Sequence, residues 1–181
     1  NLQKVCKDGS FLGVIPDPII PGYETVNGYL GHGLGVACGI SIGLSQKKKK
    51  EFVFVIIGDG ELYEGSIWES VMFAGEHKLS NLILIIDNNK ISMLDYCNKI
   101  ISLEPIDEKF KSFNWFVESI DGHNIEQVYN SLKELKTIKI DKPKLLIANT
   151  IKGKGISSLE NDFLCHIRHV TPEEIDKIIS K

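Results

Sequence analysis

Two apolar runs of strand length, FVFVII at 52–57 and LILII at 82–86, break off abruptly into polar clusters: Gly58-Asp59-Gly60 after the first, Asp87-Asn88-Asn89 after the second. No other feature constrains the fold as much. Short apolar runs without polar alternation fit strands buried on both faces, which are found in parallel sheets covered by helices. Residues 64–78, between the runs, read as a helix with Ile67, Val71 and Ala74 on one face and Trp68 near its edge. A strand, a helix and a second parallel strand return the chain to the same edge of the sheet. The two polar clusters then lie at the carboxyl ends of strands, where open α/β sheets bind ligands.

The rest of the chain keeps the alternation. Residues 1–30 are rich in Gly and Pro, among them Gly9, Pro16, Pro21 and Gly28, and read mostly as loop. Residues 31–46 are small and apolar and read as a tightly packed buried helix, and the lysines at 47–50 as a solvated basic turn. Residues 90–103 read as loop, 104–113 as a short helix and 115–119 as a strand. Residues 125–136 read as a helix burying Val128, Leu132 and Leu135, and 144–148 as a strand. Residues 150–155 form a glycine-containing loop, and Pro172 opens a last helix capped by Thr171. The expected class is α/β, a parallel sheet with helices on both faces, as a single domain over 1–181. The 43% apolar and 25% charged composition is ordinary, and a net charge of −3 gives no reason to expect nucleic acid or an anionic membrane as partner. No apolar run approaches the roughly 20 residues that span a bilayer. Cys6, Cys38, Cys97 and Cys165 form no C-x-x-C pair, which argues against a zinc knuckle. A cytoplasmic location is expected, since no signal peptide is visible.

The two clusters also suggest a chemistry. Asp59 offers a hard carboxylate oxygen, Asn89 a neutral amide oxygen, and a backbone carbonyl just beyond it a third. Magnesium takes about six oxygens, often completed by phosphate and water. One carboxylate suits a site in which a diphosphate brings most of the negative charge. Gly58 and Gly60 let backbone approach phosphate oxygens, and a helix starting after Gly60 would turn a favourable dipole towards them. Taken alone, Gly-Asp-Gly is more often a turn. The second cluster, one helix–strand unit later, is what favours a shared ion.

Gly58-Asp59-Gly60 through Asn88-Asn89 resembles the thiamine diphosphate (ThDP) binding motif. The surrounding GDGELYEGSIWESVMFAGEHKLSNLILIIDNNKIS, the preceding GYLGHGLGVACGISIGL and the following IDGHNIEQV, PKLLIANTIKGKG and SLENDFLCHIRHVTPEEI are similar to the transketolase family. The similarity is to the N-terminal, diphosphate-binding section or the corresponding subunit of a split enzyme. The resemblance implies that Asp59 and Asn89 are Mg2+ (or other divalent cation) ligands, joined by the Ile91 carbonyl. It implies that Gly60 meets the diphosphate, beside the Gly58 already read as open to it, and that Gly28 and Leu30 line the cofactor near its rings. Glu64 would work at the subunit interface, and His166 near both the diphosphate and the reacting centre, as a catalytic residue. His32 is expected to orient cofactor-side loops, and His123 to satisfy backbone groups in a turn. His77 and His169 are assigned to solvent, and Lys152 and Lys154 to an exposed loop that could also meet phosphate.

The sequence departs from the family pattern in three places. Ile15 stands where the family has the histidine of a Gly-His-Pro segment, a preceding histidine-bearing segment is not represented, and nothing matches the domain whose glutamate activates the cofactor. The chain is therefore expected to be truncated at its N-terminus and to need a partner chain, a C-terminal transketolase subunit carrying the pyrimidine-binding domain, in a heterotetramer or homodimer-like assembly. The implied activity is transfer of a two-carbon ketol unit between a ketose and an aldose, with sugar phosphates as substrates. An α-type subunit of a 2-oxo acid dehydrogenase, or an inactive ThDP-binding relative, are the alternatives.

Overall fold

The strands pair as one fully parallel sheet in the order β1-β2-β4-β3, with β1 at Val53–Gly58, β2 at Leu82–Asn88, β3 at Phe116–Asp121 and β4 at Lys144–Asn149. The computed structural model describes residues 4–168 and 170–180, so His169 and the first three residues of the 1–30 loop lie outside the described residues. The helices are α1 (Gly33–Gln46), α2 (Gly65–Glu76), α3 (Cys97–Ile100), α4 (Ile106–Ser112), α5 (Ile125–Thr137) and α6 (Pro172–Ile179).

Strand alternation sorts the core into two layers. On one face Leu82, Leu84 and Ile86 pack with Leu34 of α1, Ile67 and Val71 of α2 and Phe110 of α4. On the other face Ile83, Ile120 and Leu146 pack under Leu135 of α5, flanked by Val128 and Leu132. Handedness explains the arrangement. The connections through α2 and α4 carry the chain in one direction across the sheet, and α5 carries it back. A right-handed crossover running backwards must use the opposite face, so α5 lies across the sheet from α2 and α4 and β4 inserts between β2 and β3.

Close packing is bought by glycine at one point of α2. A Cβ on Gly75 would stand 1.8 Å from the Phe113 carbonyl oxygen. The helix is held there by the buried Trp115, whose Nε1–H donates to the Val71 carbonyl at 2.9 Å.

The structure corrects several sequence readings. β1 is not buried on both faces: Phe54 is 45% and Ile56 72% exposed, because β1 is an edge strand and α5 covers the far half of that face. Residues 90–103 are not all loop, since Ile91 bridges to Tyr96 and α3 follows. Trp115 fills the core ahead of β3 rather than opening it. On α5 the buried positions are Ser131 and Leu135, with Val128 and Leu132 only half-buried. Ser131 is admitted to the interior because its hydroxyl donates to the Glu118 carboxylate.

Candidate functional site

Pairing register brings the polar strand ends together. Gly58 pairs with Asp87, Asn88 with Asn149, and Asn149 with Asp121. The α4 and α5 connections leave on opposite faces, which opens a crevice at this carboxyl edge, the usual ligand position in open α/β sheets. A cavity of about 580 Å³ lies there, lined by Asp87, Asn89, Gly122, His123, residues 150–153, Cys165 and His166.

Asp59 is buried beside the segment that follows β2. Its carboxylate accepts the Gly60 N–H at 2.9 Å and the Lys90 N–H at 2.6 Å. Burial raises its pKa above the usual carboxylate range, and the two backbone donors offset part of that rise. Lys90 has the left-handed φ of 67°, uncommon outside glycine. Its N–H is held by Asp59 and its ammonium by Glu104. Asn89 Oδ1 accepts the Ile91 N–H at 3.1 Å, and the Ile91 carbonyl faces the Lys152 ammonium at 3.4 Å. Asp59 is thus tied directly to the 89–91 segment, across 31 residues of sequence.

The oxygens suit a hard cation. A carboxylate offers about four lone-pair sites and an amide or peptide oxygen two. Asp59 uses two and the Asn89 amide and Ile91 carbonyl one each, so every one of them retains lone pairs. Among the described residues no group of three His, Cys, Asp or Glu could hold a metal. That accords with a site of one carboxylate, with neutral oxygens and a diphosphate supplying the rest. Gly58 provides a second indication of fit: a Cβ there would meet no heavy atom within 4 Å, and its φ of −80° and ψ of 156° are open to any residue. Neither backbone nor packing requires glycine, and the space it leaves suits a phosphate oxygen. Gly60 is tighter, with a Cβ falling 3.3 Å from Ser92 Cβ.

The helix expected over 64–78 is α2, but it does not itself reach Gly60. Asp59–Tyr63 forms a 3-10 turn and α2 begins at Gly65, so the N–H groups nearest Gly58 belong to the turn. The Tyr63 hydroxyl ties this turn to α3, donating to the Cys97 carbonyl at 2.8 Å, and burial pushes its pKa up to about 12.

The 28–31 segment docks on the same turn. Gly31, at φ 83°, donates its N–H to Glu61 Oε1 at 2.9 Å and accepts the Ser66 hydroxyl on its carbonyl at 2.8 Å. A Cβ there would lie 2.5 Å from Ser66 Oγ and 2.9 Å from Glu64 Cβ. Glu64 is therefore exposed beside Gly31, while Leu30 is 58% exposed and shares its carbonyl with His32 Nδ1 at 2.9 Å. Ile15 packs over Gly28, its Cδ1 only 3.3 Å from where a Cβ would be.

His166 is exposed and lines the same cavity as Asn89, in the Phe163–His166 turn. The cavity thus joins Asn89 and His166 from the sequence-derived set, whereas Gly28, Leu30, Gly58, Asp59, Gly60, Glu64 and Ile91 stand outside its lining. Sequence reasoning missed Glu61 and Ser66, which seat Gly31, and Thr150, whose hydroxyl donates to Asp87. Each acts across 30 residues or more, so no local pattern announces it. Among the described residues Asn88 Oδ1 is the buried side-chain atom without a partner. Asn149 Nδ2 is pinned by the Ile120 carbonyl, so its Oδ1 must take the Asn88 amide hydrogen, leaving Asn88 Oδ1 over. Lys154 pairs with Glu160, and His77 lies against Phe73 on the surface.

The family described as transketolase, thiamine diphosphate binding domain, matches residues 16–181. A 6-deoxy-6-sulfo-D-fructose transketolase subunit of a Clostridium species is 38% identical over 152 residues, covering 84% of this chain and 55% of the relative. An apulose-4-phosphate transketolase subunit from Actinobacillus succinogenes is 41% identical over 140 residues, covering 77% of this chain and 50% of the relative. The crystal structure of transketolase from Campylobacter jejuni superposes with a TM-score of 0.89 at 30% identity, covering 99% of this chain and 29% of that one. The chain spans about half the length of the two split-type relatives.

Proposed function

The chain belongs to the transketolase family, whose thiamine diphosphate binding domain it matches over most of its length, and from that we propose that it is the diphosphate-anchoring domain of an enzyme transferring a two-carbon ketol unit between a ketose and an aldose. Asp59, Asn89 and the Ile91 carbonyl hold Mg2+ or another divalent cation; Gly58 and Gly60 admit the diphosphate; Gly28 and Leu30 face the cofactor's rings; Glu64 works at the interface with the partner; His166 meets the diphosphate and the reacting centre. The bond from the Lys90 N–H to Asp59 is the observation that supports this reading, because it ties the Gly-Asp-Gly turn to the 89–91 segment. The chemistry the cofactor supplies when bound is a nucleophilic carbon. The residues of this chain anchor its charged tail and orient it, with the Lys152 ammonium offsetting negative charge at the cavity wall and the His166 ring offering a hydrogen bond there.

The activating glutamate comes from a partner chain with the pyrimidine-binding domain, in a heterotetramer or homodimer-like assembly. Relatives described as transketolase subunits support a partner of this kind. Phosphorylated sugars are the proposed substrates, after the relative that acts on apulose 4-phosphate. No helix among the described residues is long and apolar enough to cross a membrane, and four unpaired cysteines suit the reducing cytoplasm proposed as its location.

Titration calorimetry with ThDP, with and without Mg2+ and in the presence of the partner, tests the site. Tight cation-dependent binding that Asn89→Ala weakens is the expected result. Binding indifferent to both the cation and Asn89 would overturn the assignment. Ketose-dependent turnover then separates ketol transfer from 2-oxo acid chemistry. Ile15, packed on Gly28 where the family carries histidine, favours an inactive relative as the second reading. That reading holds if the assembled pair binds ThDP and turns over no ketose.

A further inference from the structure

We propose that His123 is a positioning residue, whose imidazole grips the Ile151 amide and so sets Lys152 with its ammonium towards the Ile91 carbonyl and the anion beside it. The inference rests on the reading that this cavity takes the cofactor's diphosphate.

His123 is itself firmly placed. Its N–H donates to Asp121 Oδ1 at 2.9 Å, and the Asp121 N–H donates to the side chain of Gln127 in the first turn of α5 at 3.1 Å. The preceding Gly122 is wedged against the end of β4. Its N–H donates to the Asn149 carbonyl at 2.8 Å, and a Cβ on it would fall 2.5 Å from Thr150 Cγ2. The turn between β3 and α5 is thereby locked to the loop that leaves β4.

From this base the imidazole reaches across. The Ile151 N–H donates to His123 Nε2 at 2.8 Å. A ring nitrogen that accepts must carry its lone pair, so the proton of the neutral ring sits on Nδ1. Ile151 lies just past the last sheet residue of β4, in a loop whose Gly153 and Gly155 take φ values of 77° and 97°. Such glycines leave the backbone permissive, and the path of residue 152 needs outside support. The Lys152 carbonyl accepts the Asn161 N–H at 2.9 Å on one side, and His123 holds the amide just before it on the other. The ammonium then stands 3.4 Å from the Ile91 carbonyl. His123, Lys152, Asn89 and His166 all line the one cavity. A histidine serving only the turn would not need its ring aimed at this loop.

The test uses ThDP with Mg2+ as probe on the full chain with its partner, read by titration calorimetry, together with amide hydrogen exchange at Ile151. His123→Phe keeps a ring and removes the acceptor; His123→Gln restores an acceptor. Loss of one such hydrogen bond predicts about a 5- to 10-fold weaker affinity for His123→Phe, with faster exchange at Ile151 and a melting temperature lowered by no more than about 4 °C. His123→Gln recovers both readouts. In a Lys152→Ala background His123→Phe adds less than about a twofold further loss, because it acts through Lys152. The proposal falls if His123→Phe binds like wild type, if His123→Gln is as weak as His123→Phe, or if the Phe penalty persists in full without Lys152. Wild type failing to bind ThDP overturns the cofactor reading itself, and this inference with it. Wild-type binding without coupling between His123 and Lys152 overturns this inference alone.

Discussion

Gly58→Ala separates what the fold needs from what the ligand needs. The glycine has a φ and ψ that alanine adopts without strain, and a methyl added there touches nothing within 4 Å. The substitution therefore acts mainly on the unfolded chain, whose freedom it reduces, stabilising the protein by about 0.4–1 kcal/mol. For a chain of this length that raises Tm by about 1–4 °C. The ligand meets the opposite effect. Phosphate oxygens seat against backbone N–H groups at hydrogen-bond distance, whereas a methyl carbon holds heavy atoms off at about 3.5–4 Å. Losing one charge-assisted hydrogen bond costs about 1.5–3 kcal/mol, or about 10- to 150-fold in affinity. The assay is a thermal melt of the free protein paired with calorimetric titration of ThDP in Mg2+. A variant that melts no lower than wild type and binds at least tenfold more weakly is expected (~1.4 kcal/mol). Unchanged affinity would refute the claim that the space at Gly58 is the diphosphate's, and a clear loss of stability would refute the claim that the space is free.

Gly75→Ala should do the reverse: its methyl has no room against the Phe113 carbonyl, and a cost of about 3 kcal/mol or more is expected in urea denaturation. Wild-type stability for this variant would mean that α2 is not held where the Trp115 bond places it. Glu104→Gln tests the Lys90 anchor. The Lys90 hydrogen bond is the main cause holding the Glu104 carboxyl below its ordinary value of 4.5, so its stabilisation is complete above that pH and is lost as pH falls through the depressed pKa. Both partners are half-exposed, which limits the effect to under about 1 kcal/mol; the variant should flatten the acid limb of a stability–pH profile, and an unaltered limb would show the pair to be idle. Chelation with EDTA should abolish ThDP binding in the calorimeter and added Mg2+ restore it, and binding that survives chelation would exclude a cation bridge.

The strand–helix–strand unit and its two polar ends were legible in the amino-acid order, because burial on both faces demands uninterrupted apolar runs and a ligand edge demands that they stop. Gly58, Asp59 and Asn89 stand out for that reason alone. The α5 stripe was legible only in part: Ser131 is buried because Glu118 of β3 meets it, and that partner belongs to another element. The 3-10 turn at Asp59–Tyr63 was missed, since Trp68 Nε1–H reaching back from α2 to the Leu62 carbonyl at 2.8 Å leaves no periodic signal and the bond from Tyr63 to Cys97 spans 34 residues.

Local pattern, then, determined which segments become strands and helices, where the apolar faces lie and which residue types terminate them, because those depend on interactions within a few residues. Only the tertiary structure decided that β4 lies between β2 and β3, that α5 leaves Phe54 and Ile56 uncovered, and that Gly31 rests on Glu61 while His123 grips Ile151. These outcomes follow from crossover handedness and from contacts between residues about 30 positions apart, which compete globally and leave no periodic trace in the chain.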